Sequence, residues 1–300
     1  MTTSALPKAT WRDYLTLTKP RVISLLLLTA VGAMFIAASG FPGWLPLLGV
    51  LLGGYAAAGA AGVLNMIYDR DIDVKMKRTA KRPMVTNVVS TRNAVIFALL
   101  LTILSFVILT LTANVLSALL AWAGIAFYVI IYTVWLKRAT WQNIVIGGAA
   151  GSIPPLVGWA AVTGNLSFLA WVLFTLIFLW TPVHFWALAL MIKDDYGKVG
   201  VPMAPNVIGD RATVLQMVMY ALLTFALTII PFVMHEFSIL YFVAALALNL
   251  VLVWRVLRLY AAVQRGEKID RVTALPVYKY SMSYLALLFL AMAVDRAIFF

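Results

Sequence analysis

The chain has 300 residues, of which 64% are hydrophobic and 11% are charged, less than half of the roughly 25% charged residues of a soluble protein. This scarcity of polar residues and the mean hydropathy of +0.98 exclude a soluble globular protein and indicate a membrane protein in a lipid bilayer. The chain contains no cysteine, which excludes disulfides, thiolate metal sites and a cysteine nucleophile.

Nine apolar stretches are long enough to cross the hydrocarbon core of a bilayer, which takes roughly 20 helical residues each. These stretches, here called spans 1 to 9, cover 22–39, 44–67, 94–113, 115–136, 143–163, 167–191, 213–233, 238–257 and 276–298. They are too long for barrel strands and lack strand alternation. The predicted fold is therefore all-α: a polytopic membrane protein with nine transmembrane helices around a central cavity.

The basic residues predict the orientation of these spans. The net charge is +12, and all but one of the 23 Lys and Arg residues fall before span 1 or beside the connections that follow spans 2, 4, 6 and 8. The exception is Arg296, near the C-terminus. Because Lys and Arg concentrate on the cytoplasmic side, we predict a cytoplasmic N-terminus and an outer C-terminus. The charge thus reflects topology, and no nucleic-acid partner is expected.

The connections after spans 2 and 6 are long, and long connections in a compact protein are usually functional. Together they hold six of the 11 acidic residues: Asp69, Asp71, Asp73, Asp194, Asp195 and Asp210. Because spans 2 and 6 are four spans apart, we predict one intramembrane domain over 1–300 with a weak internal repeat. Its halves would be spans 1–4 at 22–136 and spans 5–8 at 143–257, followed by span 9.

The first acidic cluster follows span 2. Asn65, Asp69 and Asp73 are spaced four residues apart, so they turn by only about 80° around a helix and share one face, whereas Asp71 points away. Oxygen ligands without His or Cys suit Mg²⁺, which binds through one or two carboxylates together with substrate phosphates. Cations suited to a diphosphate come next: Lys75, Lys77, Arg78, Lys81 and Arg82. The alternative is a solvated surface on which these acids pair with nearby cations.

The second acidic cluster, KDDYGKVGVPMAP at 193–205, repeats this pairing with Lys198 and, further on, Arg211. Its glycines and prolines predict that the chain leaves the helix here and forms a shaped loop. We predict that the two clusters close on one diphosphate. The separate roles of Asp194 and Asp195 stay open, because adjacent helical residues point about 100° apart.

These features resemble the UbiA-type intramembrane prenyltransferases, the superfamily that includes 4-hydroxybenzoate polyprenyltransferase and chlorophyll synthase. Within it, the chain most resembles the branch that farnesylates heme b. The supporting motifs are LTKPR from residue 17, DRDID from 69, MKRT from 76, IPPLVGW from 153, HFWALA from 184, KDDY from 193 and GVPM from 200. The chain departs from many superfamily members in its adjacent Asp194 and Asp195, which replace a D-x-x-x-D spacing. After Met203, the residues 204–206 depart from the Leu-Pro-Val usual in the branch.

The resemblance implies that the chain transfers the farnesyl group of farnesyl diphosphate to a vinyl group of heme b and forms heme O with Mg²⁺ as cofactor. It implies four catalytic residues, Asp69, Asp73, Asp194 and Asp195, which together with Asn65 are also the metal ligands. The implied substrate-binding residues are Asn65, Lys75, Arg78, Arg82, Lys198, Arg211, His184 and Tyr196. The implied location is the bacterial plasma membrane, with a cytoplasmic active site and possible handover to heme A synthase or a terminal oxidase.

His184 lies in span 6, about ten residues or roughly 15 Å inward from Asp194. It either hydrogen-bonds a neighbouring helix or contacts heme. Two alternative functions also stay open: prenylation of a quinone-precursor phenol or a chlorin, and non-catalytic transport or heme carriage. Transporters place ionisable residues near the bilayer midplane, whereas these acids lie at span ends, so the sequence favours an enzyme.

Overall fold

The computed structural model describes residues 9–300; Lys8, which contributes to the orientation argument, lies outside them. Nine helical segments within 9–300 are long and apolar enough to span a membrane, which confirms the predicted all-α polytopic fold. Their bounds are α2 Pro20–Ala38, α3 Trp44–Tyr68, α5 Thr91–Thr112, the composite fourth span Val115–Ala139, α8 Asn143–Thr163, α9 Phe168–Lys198, α11 Gly209–Val233, α12 Ile239–Gln264 and α13 Arg271–Phe299. The short helices α1 Trp11–Thr18, α4 Arg70–Asp73 and α10 Ala204–Val207 lie between or before them.

The spans form a closed ring, because each packs against the next along the chain and α13 packs against α2. The contacts of α2 with α8 and of α9 with α13 run across the ring. Gly158 of α8 lies against the backbone carbonyl of Ala30 in α2, where a Cβ would have no room. This small residue therefore lets α2 and α8 approach closely, as is common between membrane helices.

Polar residues mark where several spans begin. Ser90, Asn114, Ser167 and Ser238 accept hydrogen bonds from the first backbone N–H groups of α5, the fourth span, α9 and α12. The buried carboxylate of Asp295 adds to the cap of α12, because it accepts hydrogen bonds from the backbone N–H groups of Ser238 and Tyr241, both at 2.9 Å. This acid therefore ties span 9 to the start of span 8.

Span 6 extends further than its hydropathy predicts. Helix α9 breaks at Ile192 (φ −128°, ψ 20°) and then continues to Lys198, so Asp194 and Asp195 lie on a helix. Within the stretch 193–205 the chain leaves the helix at Val199, after a further polar turn of helix, and α11 begins at Gly209. A hydropathy profile locates the end of the apolar run, whereas backbone hydrogen bonding continues through polar residues.

Candidate active site

The first acidic cluster lies where α3 ends. Asn65, Asp69 and Asp73 are buried, whereas Asp71 is exposed. The Nδ2 group of Asn65 donates a hydrogen bond to Asp69 Oδ2 at 2.8 Å. Asp69 is the junction between α3 and α4, and the short turn that follows carries Asp73. The four-residue spacing thus produces an inward-facing row of one amide and two carboxylates.

Three cations from different segments contact this row. Lys19, between α1 and α2, donates from Nζ to Asn65 Oδ1 at 2.5 Å. Arg82 Nη1 lies 2.5 Å from Asp73 Oδ2, and the Nζ of Lys137 forms an ion pair with Asp69. We call Asn65, Asp69, Asp73, Lys19, Arg82 and Lys137 the buried charge cluster.

Lys19 and Lys137 are site residues that the sequence reasoning missed. Lys19 belongs to the LTKPR motif, and Lys137 and Arg138 close the fourth span. In the sequence, these residues indicate only the resemblance and the orientation. Arg138 donates to both carboxylate oxygens of Asp71 at 2.7 Å, so it anchors the turn after α3.

A π-helix in the fourth span positions the residues that this span supplies to the site. This span consists of α6 Val115–Ala126, a π-helical segment Phe127–Leu136 and α7 Lys137–Ala139. Within it, Thr133 Oγ1 donates to the Tyr128 carbonyl five residues earlier at 2.9 Å and accepts from Asn65 Nδ2 at 3.0 Å. π-Helical turns are frequent at functional sites. Here the π-helix places Thr133 against Asn65 of α3, and Lys137, which directly follows it, against Asp69.

The buried charge cluster has a cationic excess near Lys19. Burial, and then repulsion from Arg82 and Lys137, lowers the pKa of Lys19 to about 7, despite the opposing attraction of Asp69 and Asp73. An added anion would favour the charged form of this lysine. The cluster is therefore electrostatically suited to an anion.

The donor set also fits a hard cation. Asp69 Oδ1 is buried and accepts no hydrogen bond within residues 9–300, and Arg138 Nη2 lies 3.7 Å from it. A buried carboxylate oxygen without a donor is a position that a cation can satisfy. With the oxygens of Asn65 and Asp73, it matches the preference of Mg²⁺ for one or two carboxylates and substrate phosphates.

The second acidic cluster has its own partners. Asp195 Oδ1 lies 3.8 Å from Lys198 Nζ, and Lys193 Nζ lies 2.6 Å from Asp210 Oδ2. Asp194 is exposed and lines a depression of about 580 Å³ with Lys198. Within the described part of the chain, no three acidic or histidine residues gather as a metal site. The structure thus does not place the five predicted ligands around one ion.

The two clusters nevertheless face one core. Tyr196 is buried and belongs to the same hydrophobic cluster as Ile72 and Met76, which follow the first acids. Asn143 links the end of the fourth span to the loop after α9, because its Nδ2 group donates to the Thr140 carbonyl at 2.7 Å and to the Pro202 carbonyl at 3.2 Å. The remaining predicted phosphate contacts are exposed: Lys75, Arg78, Lys198 and Arg211.

His184 takes part in a contact between spans 6 and 9. Its Nδ1 atom lies 2.8 Å from Ser281 Oγ. The imidazole stacks between Trp180, at 4.6 Å between ring centroids, and Tyr278, at 4.9 Å. The structure therefore shows the hydrogen bond to a neighbouring helix, one of the two roles considered for this residue.

These observations define an integral membrane protein with nine helical spans within residues 9–300 and a buried acidic and basic site at the ends of spans 2 and 4. The family model of the UbiA prenyltransferases matches residues 25–293. The chain therefore belongs to the UbiA prenyltransferase family.

Curated relatives cover nearly the whole chain. A protoheme IX farnesyltransferase of Thermus thermophilus is 60% identical over 97% of this chain and 47% of its own length. The chain thus spans about half of that relative. One from Deinococcus radiodurans is 57% identical over 97% of this chain and 95% of its own length.

Solved structures share the fold at low sequence identity. A structure of digeranylgeranylglyceryl phosphate synthase matches with a TM-score of 0.77 and 19% identity, covering 95% of this chain and 98% of the other. A UbiA homologue from Archaeoglobus fulgidus, bound to GPP and Mg²⁺, matches with a TM-score of 0.69 and 17% identity over 93% of this chain and 99% of the other. At these sequence identities, both similarities show a shared fold and no more.

Proposed function

We propose that the protein transfers the farnesyl group of farnesyl diphosphate to a vinyl group of heme b. One observation carries the proposal: buried Asp69 and Asp73 lie among Lys19, Arg82 and Lys137. Carboxylates for a metal and cations for phosphate are what the departure of a diphosphate requires. The heme acceptor is supported by the relatives named protoheme IX farnesyltransferase.

In this reaction the bond between farnesyl C1 and the diphosphate oxygen breaks, and the electron pair leaves with diphosphate. The vinyl group supplies the electrons of the new carbon–carbon bond. Water then adds to the resulting cation and releases a proton, which gives the hydroxyethylfarnesyl side chain of heme O. The negative charge develops on the leaving group, so cations placed beforehand around it supply the main stabilisation.

Asn65, Asp69 and Asp73 would hold Mg²⁺, with Asp194 and Asp195 contributing from the second cluster. When bound, Mg²⁺ supplies positive charge to the leaving diphosphate. Arg82, already beside Asp73, would bind phosphate oxygens together with the exposed cations of the two clusters: Lys75, Arg78, Lys198 and Arg211. Because Lys19 is held at Asn65 and Lys137 at Asp69, we assign both lysines to this anion site as well.

The acceptor would lie deeper between spans 6 and 9. The His184 ring is held by Ser281 and by its two aromatic neighbours, so it presents a fixed polar edge in an apolar region. We assign His184 to heme b and the buried Tyr196 to the boundary between the two substrates. Apolar surroundings exclude water until the carbon–carbon bond has formed.

The chain is a multi-pass membrane protein, as its family and the nine apolar helices in its described part establish. We place the active site on the cytoplasmic side of the bacterial plasma membrane, because the charged ends of spans 2, 4 and 6 belong to the basic side. Heme O would then pass to heme A synthase or a terminal oxidase.

The test is formation of heme O by the purified chain in nanodiscs with farnesyl diphosphate, heme b and Mg²⁺, detected by mass spectrometry. Asp69→Asn and Asp73→Asn should each lower kcat at least about 100-fold, which is roughly 2.7 kcal/mol of transition-state stabilisation. Asp71→Asn is the matched control, because Asp71 is exposed and lies between the two; it should retain most of the activity.

Parallel reactions with a quinone-precursor phenol and with a chlorin distinguish the acceptors. Prenylation of either in place of heme would refute the heme assignment but keep the prenyl transfer. Equal activity of all three aspartate variants would refute the role of the buried charge cluster. Substrate flux into liposomes without any prenylated product would favour transport.

A further inference from the structure

Two arginines in span 8 have no acidic partner among the residues that the structure describes and no role in the proposed reaction. Arg255 and Arg258 lie one helical turn apart in α12. Neither takes part in any ion pair within residues 9–300. The Nε atom of Arg255 is buried and has no hydrogen-bond partner in the described part of the chain. Charged side chains within membrane spans are rare and usually serve a function.

Aromatic rings hold both guanidinium groups. The Cζ atoms of Arg255 and Arg258 lie 5.8 Å and 5.0 Å from the ring centroid of Trp254. Arg255 Cζ also lies 5.0 Å from the ring of Tyr280 in α13, whose hydroxyl donates to the Leu248 carbonyl at 2.9 Å. Cation–π attraction of this kind fixes the position of a cation but leaves its N–H groups available. We call Arg255, Arg258, Trp254 and Tyr280 the span 8 arginine site.

The site lies near the end of the span that belongs to the basic side. Arg255 is nine residues from Gln264, the last residue of α12, or roughly 14 Å along the axis. Trp and Tyr concentrate at the depth of lipid headgroups, and long basic side chains extend toward the same level. Two guanidinium groups without a carboxylate at this depth match a phosphate, which the planar fork of arginine binds in a bidentate manner.

The adjoining surface matches acyl chains. Leu250, Trp254 and Leu257 are exposed to between 46% and 54% and follow one another at helical spacing along one face of α12. This apolar stripe leads from the arginines toward the middle of the span. The arginines match the phosphate of a phospholipid, and the apolar stripe matches its acyl chains.

We propose that the span 8 arginine site binds the phosphate of an anionic phospholipid in the membrane leaflet on the basic side of the protein. The buried charge cluster uses cations from other segments, so the two anion sites share no residue. The proposed lipid site can therefore be tested independently of the proposed transfer reaction.

The test measures lipid binding to the full chain in detergent micelles. Phosphatidylglycerol should raise the unfolding temperature and remain as a bound lipid in native mass spectrometry. Diacylglycerol with the same acyl chains, which lacks the phosphate, and inorganic phosphate, which lacks the chains, should do neither. The double variant Arg255→Gln/Arg258→Gln should bind phosphatidylglycerol at least about tenfold more weakly, a loss of about 1.4 kcal/mol.

Arg265→Gln is the matched control, because it removes the same charge from an exposed arginine that already pairs with Glu267. It should leave lipid binding unchanged. If the double variant fails to fold, Arg255→Lys/Arg258→Lys keeps the charge but loses the planar fork, and it should bind with intermediate affinity.

Three results would overturn the proposal. The first is the same lipid stabilisation in the double variant as in the unaltered chain. The second is equal stabilisation by diacylglycerol, which would show that only acyl chains are bound. The third is unchanged lipid binding with an increased KM for heme b, which would assign these arginines to the carboxylates of the acceptor.

Discussion

Removal of the cation at position 137 tests whether the buried charge cluster behaves as a buried ion pair. The side chains of Lys137 and Asp69 are 9% and 1% exposed. Loss of one partner of such a pair costs roughly 3 to 5 kcal/mol, because the remaining charge is left in a region of low dielectric. Arg138, 3.7 Å from the other oxygen of Asp69, compensates in part. We therefore expect Lys137→Met to lower the free energy of unfolding by about 3 kcal/mol.

The assay is a double-mutant cycle in detergent micelles, with unfolding followed by circular dichroism as SDS is added. Lys137→Met and Asp69→Asn are measured singly and together. The double variant removes both charges of this pair, so its loss of stability should be about 2 kcal/mol smaller than the sum of the single losses. Arg265→Met is the control: its partner Glu267 is 46% exposed and it is itself 62% exposed, so its removal should cost less than about 1 kcal/mol.

Two outcomes would refute this reasoning. Additivity of the single variants within about 0.5 kcal/mol would show that the two side chains do not interact. A loss in Lys137→Met no larger than that in Arg265→Met would show that water screens the pair.

Three further substitutions test the packing of the bundle. Gly158→Ala would press a Cβ onto the backbone carbonyl of Ala30 and should lower stability by about 1 to 3 kcal/mol in SDS titration, whereas Gly151→Ala, which has open space, should not. Asn249→Leu removes the buried amide that donates to Thr228 Oγ1 at 2.8 Å and should cost about 1 kcal/mol in the same titration; no loss would mean that the polar network is dispensable. Asn143→Leu breaks the hydrogen bond to the Pro202 carbonyl, so hydrogen exchange should become faster at 199–203 and stay unchanged at the outer end of α8.

The fold follows closely from the sequence, because hydropathy reports directly on the solvent that a helix faces. Spans 5 and 9 show the best and a poorer agreement between predicted and observed helix bounds. The prediction for span 5, 143–163, coincides with α8, whereas span 9 begins at Arg271 and not at 276. The helix starts earlier because Asp270 caps it. Hydrogen bonds from the backbone N–H groups of Thr273 and Val272 lower the pKa of the Asp270 carboxyl. Capping and polar helical extensions leave no mark on a hydropathy profile.

The sequence predicted that Asn65, Asp69 and Asp73 share one face, because residues four apart lie on the same side of a helix, and the structure buries all three. Only the tertiary structure decided which cations meet them. Lys19 lies 46 residues from Asn65, and Lys137 lies 68 residues from Asp69. Helical periodicity relates positions within about one or two turns, whereas these contacts depend on how separate spans pack and on a π-helix whose apolar pattern resembles that of an ordinary helix.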